Sequence, residues 1–254
     1  MEHRIQRLRP YLADLHVHTV LSPCAEVEMI PPLIVRRARE LALGMVAITD
    51  HNSAENVAAV ISAARGTELV VLPGMEVQTR EEVHLLCLFD TVEQVLDWQE
   101  VVYGHLPPMK NRAEVFGAQF VVDPTGDFLH YNDRLLLTSA SLSVEEVASG
   151  VEERAGLCIP AHVDRSSFSL LANLGFVPSG VRFAAMEVTG RANVQEMRQQ
   201  HPELAKYSFI RSGDAHRLGE MSNCTILTIE EPTITEISMA FRGQRDRRVK
   251  VLAE

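Results

Sequence analysis

The sequence predicts an α/β fold, a barrel of parallel strands joined by crossover helices, and three observations predict it. Short apolar, β-prone runs alternate with helix-period stretches along most of the 254 residues. Many of those runs end at a His, Asp or Glu, where ligands gather in parallel α/β barrels. A hydrophobic content of 46% supplies a full core for one large domain.

The elements follow in chain order. Strands are expected at 12–17, 45–49, 69–72, 83–89, 156–160, 183–188, 209–212 and 225–229, each a short run rich in aliphatic residues. The first helix, 32–43, is opened by Pro31 and Pro32 and closed by Gly44. Others are expected at 54–65, 92–102, 143–154, 193–200 and 234–242; Ser143 and Glu146 have the spacing of a capping box. Residues 103–142 break the rhythm with Pro107, Pro108 and Gly117. A hairpin of 118–122 and 127–131 is expected there, around Asp123-Pro124-Thr125-Gly126. This segment is read as an insertion within a single domain spanning 1–254, placed at the barrel mouth as a substrate lid. Its Phe116, Phe120 and Tyr131 suit either stacking on a base or a small core of the insertion's own.

Net charge is −10, which argues against duplex DNA as a partner, because avid duplex binding relies on dense Lys and Arg. It leaves anionic substrates open, since bound divalent ions make one cleft locally positive. Cys24, Cys87, Cys158 and Cys224 are scattered and form no C-x-x-C pair, so reduced thiols and a cytoplasmic location are expected. The opening Met-Glu-His-Arg has no apolar leader character. No apolar run approaches the ~20 residues of a membrane span, and no membrane partner is expected.

The chemistry lies in D-L-H-V-H-T (Asp14 to Thr19), T-D-H-N (Thr49 to Asn52), G-M-E-V (Gly74 to Val77), E-V-H-L-L (Glu82 to Leu86), P-A-H-V-D-R (Pro160 to Arg165) and G-D-A-H (Gly213 to His216). Residues i and i+2 of a strand share a face, so His16 and His18 point together, as do Asp214 and His216. His51, Glu76 and His162 follow predicted strands; His84 lies early in its strand and fits less well. Imidazole with carboxylate suits Mn, Fe or Zn, and eight ligands exceed what one tetrahedral ion needs. Two or three divalent ions are therefore expected. Asp14 and Asp50 suit hydrogen bonds that orient the ligand histidines. His3, His105, His130 and His201 are read as solvated or structural.

This ordered set resembles the PHP family, named for polymerase and histidinol phosphatase domains, from about Ala13 to His216. The resemblance implies a distorted (β/α)7 barrel of the PHP type with its metals at the strand carboxyl ends. It assigns one metal to His16, His18, Glu76 and Asp214, and a second to Glu76, His84 and His162. A third, where present, takes His51 and His216 with a ligand from the loop after H-x-H. Family members often place an acid there in a Ser-Asp-Gly run; this chain has Ser22-Pro23-Cys24-Ala25-Glu26, and Pro23 cannot ligate. Cys24, Glu26 or water fills the gap, or the third site is weak.

The expected function is metal-dependent hydrolysis of a phosphate ester: a nucleotide, a short oligonucleotide or a small metabolite phosphate. A metal-bridging hydroxide would attack phosphorus in line, with Asp214 and His162 essential and Arg165 clamping the phosphate. One alternative is a binuclear amidohydrolase, many of which bridge their metals with a carboxylated lysine. None of Lys110, Lys206 and Lys250 falls at the end of a central strand. The other is a non-catalytic, metal-retaining regulatory domain.

Overall fold

The computed structural model describes residues 7–252. The expectations for His3 and for the Met-Glu-His-Arg opening lie outside the described residues. The elements are β1 (Arg9–Val17), α1 (Pro31–Glu40), β2 (Met45–Ile48), α2 (Val57–Ala63), β3 (Val70–Gln78), β4 (His84–Leu88) and α3 (Val92–His105). Then come α4 (Ala113–Phe116), β5 (Phe120–Val122), β6 (Phe128–Tyr131), α5 (Val144–Glu153), β7 (Leu157–Pro160), α6 (Leu170–Leu174) and β8 (Met186–Val188). The chain continues through α7 (Val194–Gln200), β9 (Phe209–Arg211), β10 (Thr225–Ile229), α8 (Ile234–Phe241) and β11 (Arg248–Val251).

Seven strands form one sheet in the order β11-β10-β1-β2-β3-β4-β7, and β8 pairs in parallel with β9. The Val163 amide donates to the Glu187 carbonyl (2.9 Å) and the Ala184 amide to the Cys158 carbonyl (3.1 Å), joining β8 to the β7 edge. A parallel bridge, Val17 to Ala215, returns the chain after β9 to β1. The sheet is thus a curled, half-barrel wall.

The expectation of uniformly parallel strands fails here. β1, β2 and β3 are parallel, but β4 is antiparallel to β3 and to β7, and β10 is antiparallel to β1 and β11. Residues 79–83 are the reason. They form a tight turn in which the Thr79 amide donates to the Val83 carbonyl (2.9 Å), whereas a parallel return needs a crossover of about a dozen residues. β3 also runs beyond 69–72 to Gln78, so Glu76 lies within the strand. Gly74 lets three strands close in there: a Cβ on it would sit 2.9 Å from the Ile48 carbonyl oxygen and 2.9 Å from Leu88. β11, α4 and α6 had no sequence signal strong enough to be expected; α6 is capped by Ser169 and closed by Gly175 at a φ of 78°.

Two buried clusters divide the apolar residues. Tyr11, Ala13, Leu15, Met45, Ala47, Leu72, Leu86, Leu88, Ile159 and Ile210 fill the concave side of the sheet, with α8 contributing Ile237 and Phe241. Val46, Ile48, Met75, Val77, Leu85, Cys87 and Cys158 face the helix layer and pack with Ile34, Val60, Trp98 and Val147. Ser143 and Glu146 form the expected capping box at α5, and Thr91 with Gln94 forms another at α3. In the segment 103–142, β5 and β6 pair antiparallel. Asn52 Nδ2 donates to the carbonyls of Leu136 and Thr138, and Asn56 Nδ2 to that of Phe120, tying the segment to the β2–α2 loop. Phe120, Phe128 and Tyr131 contact one another, with centroids 4.7–6.2 Å apart.

Candidate metal centre

Strand alternation aims some of the candidate ligands inward and would aim others away. On β3 and β4 the even residues face the concave side, so Glu76 and His84 point inward without any irregularity. His84 is the first residue of β4, and because β4 runs backwards its start lies at the rim where β1, β2 and β3 end. Its poor fit to the sequence rule disappears. On β1 the odd residues Tyr11, Ala13 and Leu15 face inward, which would turn His16 and His18 out. A bulge between Asp14 and Val17, opposite Val46 to Ile48, inverts the alternation and brings both imidazoles in. On β7, Ala161 faces inward, and His162 is turned to the same side by a φ of 32°. Asp214 has a φ of 46°. Both are uncommon for non-glycine residues and typical of functional rims.

All eight candidate ligands meet around Glu76 and Asp214. His16 Nε2 lies 3.3 Å from Glu76 Oε1 and 3.1 Å from Asp214 Oδ1; His18 Nε2 lies 3.4 Å from Glu76 Oε2 and 3.3 Å from Asp214 Oδ1. His51 Nδ1 is 3.0 Å from Glu76 Oε2, His84 Nδ1 is 2.8 Å from Oε1, and His162 Nε2 is 3.4 Å from Oε1. The rings of His18 and His216 stack at 4.1 Å. Three groups have metal-holding proximity: His16, His18, Glu76 and Asp214; His51, Glu76 and His84; and His18, His51 and His216. His51 therefore faces both of the last two. Beside it, the exposed Cys24 thiol adds to the forces that raise His51, while Glu26 is exposed too.

The donor atoms themselves fit a cation cluster. Glu76 Oε2, His84 Nε2 and both ring nitrogens of His162 are buried without a hydrogen-bond partner. His16 Nε2 and His18 Nε2 face each other at 3.1 Å. Their outer nitrogens are fixed elsewhere. His16 Nδ1 donates to Glu187 Oε2 (2.9 Å), and His18 Nδ1 donates to Ser22 Oγ (2.9 Å), which donates to Asp50 Oδ1 (2.7 Å). In the neutral rings this leaves both Nε2 lone pairs turned to the centre, as metal ligation requires.

Electrostatics report the same crowding. Burial alone lowers the pKa of His18, yet Asp214 and Glu76 overcome it and hold the ring at about 9. Burial likewise lowers His51, but Glu76 outweighs it, and the ring stands at about 9. His16 is raised well above its ordinary value despite burial, by Glu187, Asp214 and Glu76. His216 is pushed down to about 3, by burial and then by repulsion from His18. Glu76 and Asp214 are held low by the surrounding imidazoles, against the burial that opposes it.

Asp14 does not bond a histidine ring. Its carboxylate accepts from the amides of Gly213 (2.9 Å) and Ser222 (2.7 Å), positioning the G-D-A-H turn, and burial pushes its pKa up to about 7. Glu187 was not anticipated. It accepts from His16 Nδ1 and from the His162 amide (3.0 Å); a lone acid inside the apolar run 183–188 was its signal. Replacing Glu187 with Gln is expected to lower metal affinity tenfold to hundredfold in titration calorimetry, while Cys87→Ser on the helix side leaves it alone. Arg165 Nη2 lies 2.6 Å from Asp214 Oδ2, with the side chain 46% exposed. His105 and His130 are exposed and His201 is partly buried; none joins the centre. Lys110 is 85% exposed, and its ammonium lies 3.8 Å from Asp133. No helix among the described residues is long and apolar enough to cross a membrane.

Comparison with known proteins completes the picture. The family model for the PHP domain matches residues 14–149. None of the curated proteins matches the sequence. The lesion-specific endonuclease Q of Pyrococcus furiosus is similar at a TM-score of 0.70 and 18% identity, over 95% of this chain and 58% of that one. The chain thus spans little more than half of that protein's length. A proposed metal-dependent phosphoesterase from Bifidobacterium adolescentis is similar at 0.55 and 20%, over 82% of this chain and 88% of that one. An amidohydrolase from Chromobacterium violaceum with bound sulfate is similar at 0.56 and 18%, over 84% and 90%. At such identities the likenesses speak to the fold.

One expectation is corrected by them. An endonuclease Q structure that matches 94% of this chain, at a TM-score of 0.65 and 18% identity, holds a 27-mer duplex with an abasic lesion at its active site. A protein that shares this fold holds duplex DNA, so a net charge of −10 is no ground for excluding duplex DNA. Net charge averages the whole surface, whereas the field at the mouth is set by the groups there, including Arg165 and any bound cations.

Proposed function

The chain belongs to the PHP domain family, and from that premise we propose that it is a metal-dependent phosphoesterase whose centre is built on Glu76 and Asp214. The observation that carries this reading is the convergence of five imidazoles on one buried carboxylate, Glu76, amid polar atoms that have no protein partner. In this reading His16, His18, Glu76 and Asp214 hold one divalent ion; Glu76, His84 and His162 hold a second, with His51 beside them. A third falls to His51, His216 and His18, with Cys24 at its edge. Mn, Fe and Zn all suit the donor set. Bound there, the metals supply an activated water and offset charge on the phosphoryl oxygens.

The chain's own groups do the rest. Glu187 and the Ser22–Asp50 pair fix the tautomers of His16 and His18. Arg165, already within reach of Asp214, is placed to turn its guanidinium to a non-bridging phosphate oxygen once metals take up the carboxylate. Segment 103–142, read as an insertion, walls one side of the mouth through Leu137, Thr138 and Ser139. Phosphomonoesters and nucleic-acid phosphodiesters, duplex included, are both admissible substrates.

The test is hydrolysis with added Mn²⁺. The panel holds an aryl phosphate, histidinol phosphate, nucleoside mono- and bisphosphates, single strands, an abasic duplex and a simple amide. Release of phosphate or strand scission by the wild type, lost in a folded Asp214→Ala protein, is the expected result. Turnover of the amide alone, or metal uptake without any turnover, would overturn it.

A further inference from the structure

Two separate hollows adjoin the metal centre. One, of about 540 Å³, is lined by Arg165 and Arg191 with Asp164, Thr189 and Gly190. The other, of about 520 Å³, is lined by His51, Gln78, Glu82, His84, Thr138 and Phe168, among others. His51 and His84 belong to the candidate centre, so the second hollow opens directly onto it. The two differ in charge. The second has a carboxylate, Glu82, and no Lys or Arg in its lining; its one raised imidazole, His51, belongs to the candidate centre.

Phe168 is the unusual residue of this hollow. Its ring stacks on His84, with centroids 4.9 Å apart and planes at 27°, yet it remains 43% exposed. Its φ is 54°, a conformation that a bulky side chain adopts only when the surroundings hold it there. They do. The Phe168 carbonyl accepts from the His84 amide (3.1 Å), and the next residue, Ser169, caps α6 by accepting from the Ala172 amide (3.1 Å). The chain thus carries strain and an exposed aromatic face at one point, beside the candidate ligands. One lining acceptor is held in place: Gln78 Nε2 donates to Ser139 Oγ (3.0 Å), which fixes the amide and leaves its Oε1 free to accept, while the exposed Glu82 adds a carboxylate.

We propose that this hollow receives a flat, uncharged ring bearing hydrogen-bond donors, such as an amino-substituted nucleobase, and that Phe168 determines specificity by stacking on it. The inference rests on the phosphoesterase reading for the reaction at the adjoining centre, but ring binding does not require turnover. An aromatic face accepts any base by stacking, and the fixed Gln78 acceptor, with the Glu82 carboxylate, selects for amino groups on its edge.

The probe is adenosine, which has a ring and no phosphate, titrated into the metal-free protein by calorimetry. Wild type and Phe168→Tyr are expected to bind it, and Phe168→Asn, which tolerates the left-handed conformation but lacks the ring, to bind about tenfold more weakly or worse. Thermal melting establishes that the Asn variant is folded. With metal added, the ratio of kcat/KM for adenosine monophosphate to that for glycerol phosphate should fall about tenfold in Phe168→Asn. Equal adenosine affinity in wild type and a folded Phe168→Asn protein overturns the inference. Adenosine binding that depends on Phe168, with no phosphate released from any ester, supports the ring subsite and overturns the phosphoesterase reading alone.

Discussion

Glu76→Gln is expected to leave a folded protein that no longer assembles its metal centre, with turnover reduced by roughly a thousandfold or more. Bound divalent metals would contribute several kcal/mol of charge stabilisation, and each 1.4 kcal/mol is a factor of about ten in rate. Five histidines lie within 3.4 Å of the Glu76 carboxylate, and two of the three metal-holding groups include it. Gln keeps the volume, so the concave core around Leu72 and Leu86 remains packed, but it offers one neutral oxygen where two anionic ones stood. The metal-free protein reports the change as well. His18 and His51 owe their pKa of about 9 in part to Glu76. In the Gln variant both should titrate well below that, as followed by NMR of the ring protons. Elemental analysis after reconstitution decides the case: a full complement of metal with wild-type turnover in Glu76→Gln would remove Glu76 from the centre.

The second large effect is a dependence of metal affinity on pH, opposite in sign to that of metal-free stability. His18 and His51 stand at about 9 in the folded chain, above the 6.5 of a free imidazole. Groups raised by folding contribute stability that is fully present below 6.5 and lost as pH rises through 9. The metal-free protein should therefore melt at progressively lower temperature from pH 6.5 to 9. Asp14, raised to about 7, acts in the same direction at lower pH, its contribution falling between the ordinary carboxylate range and 7. A divalent ion must displace the proton of each raised ring that it takes up, so its affinity should rise with pH across this window, by about one power of ten per unit for each such ring. His216, depressed to about 3, is already unprotonated across this window and adds nothing to the slope. Calorimetry in buffers of differing ionisation enthalpy measures the protons released. A flat affinity between pH 6.5 and 9, with no proton release, would show that these two rings do not ligate.

The sequence by itself determined which residues meet at the candidate centre. The motifs D-L-H-V-H-T, T-D-H-N, G-M-E-V, E-V-H, P-A-H and G-D-A-H supply the imidazoles and carboxylates that converge there, groups that are expensive to bury without a partner of opposite charge. It also determined most elements to within a few residues, since apolar period and capping residues such as Ser143 and Glu146 act locally. Tertiary structure decided which way those donors point and what supports them. The bulge at Asp14 to Val17 that turns His16 and His18 inward is a property of pairing with β2 and cannot be counted from alternation along β1. The reversed direction of β4, which places His84 on the shared rim, follows from the tight turn at 79–83. Glu187 stands 171 positions from the His16 it orients, and Phe168 stacks on His84 from a separate loop. Such contacts arise only when the sheet curls, because closure brings together groups whose separation along the chain carries no trace of their proximity.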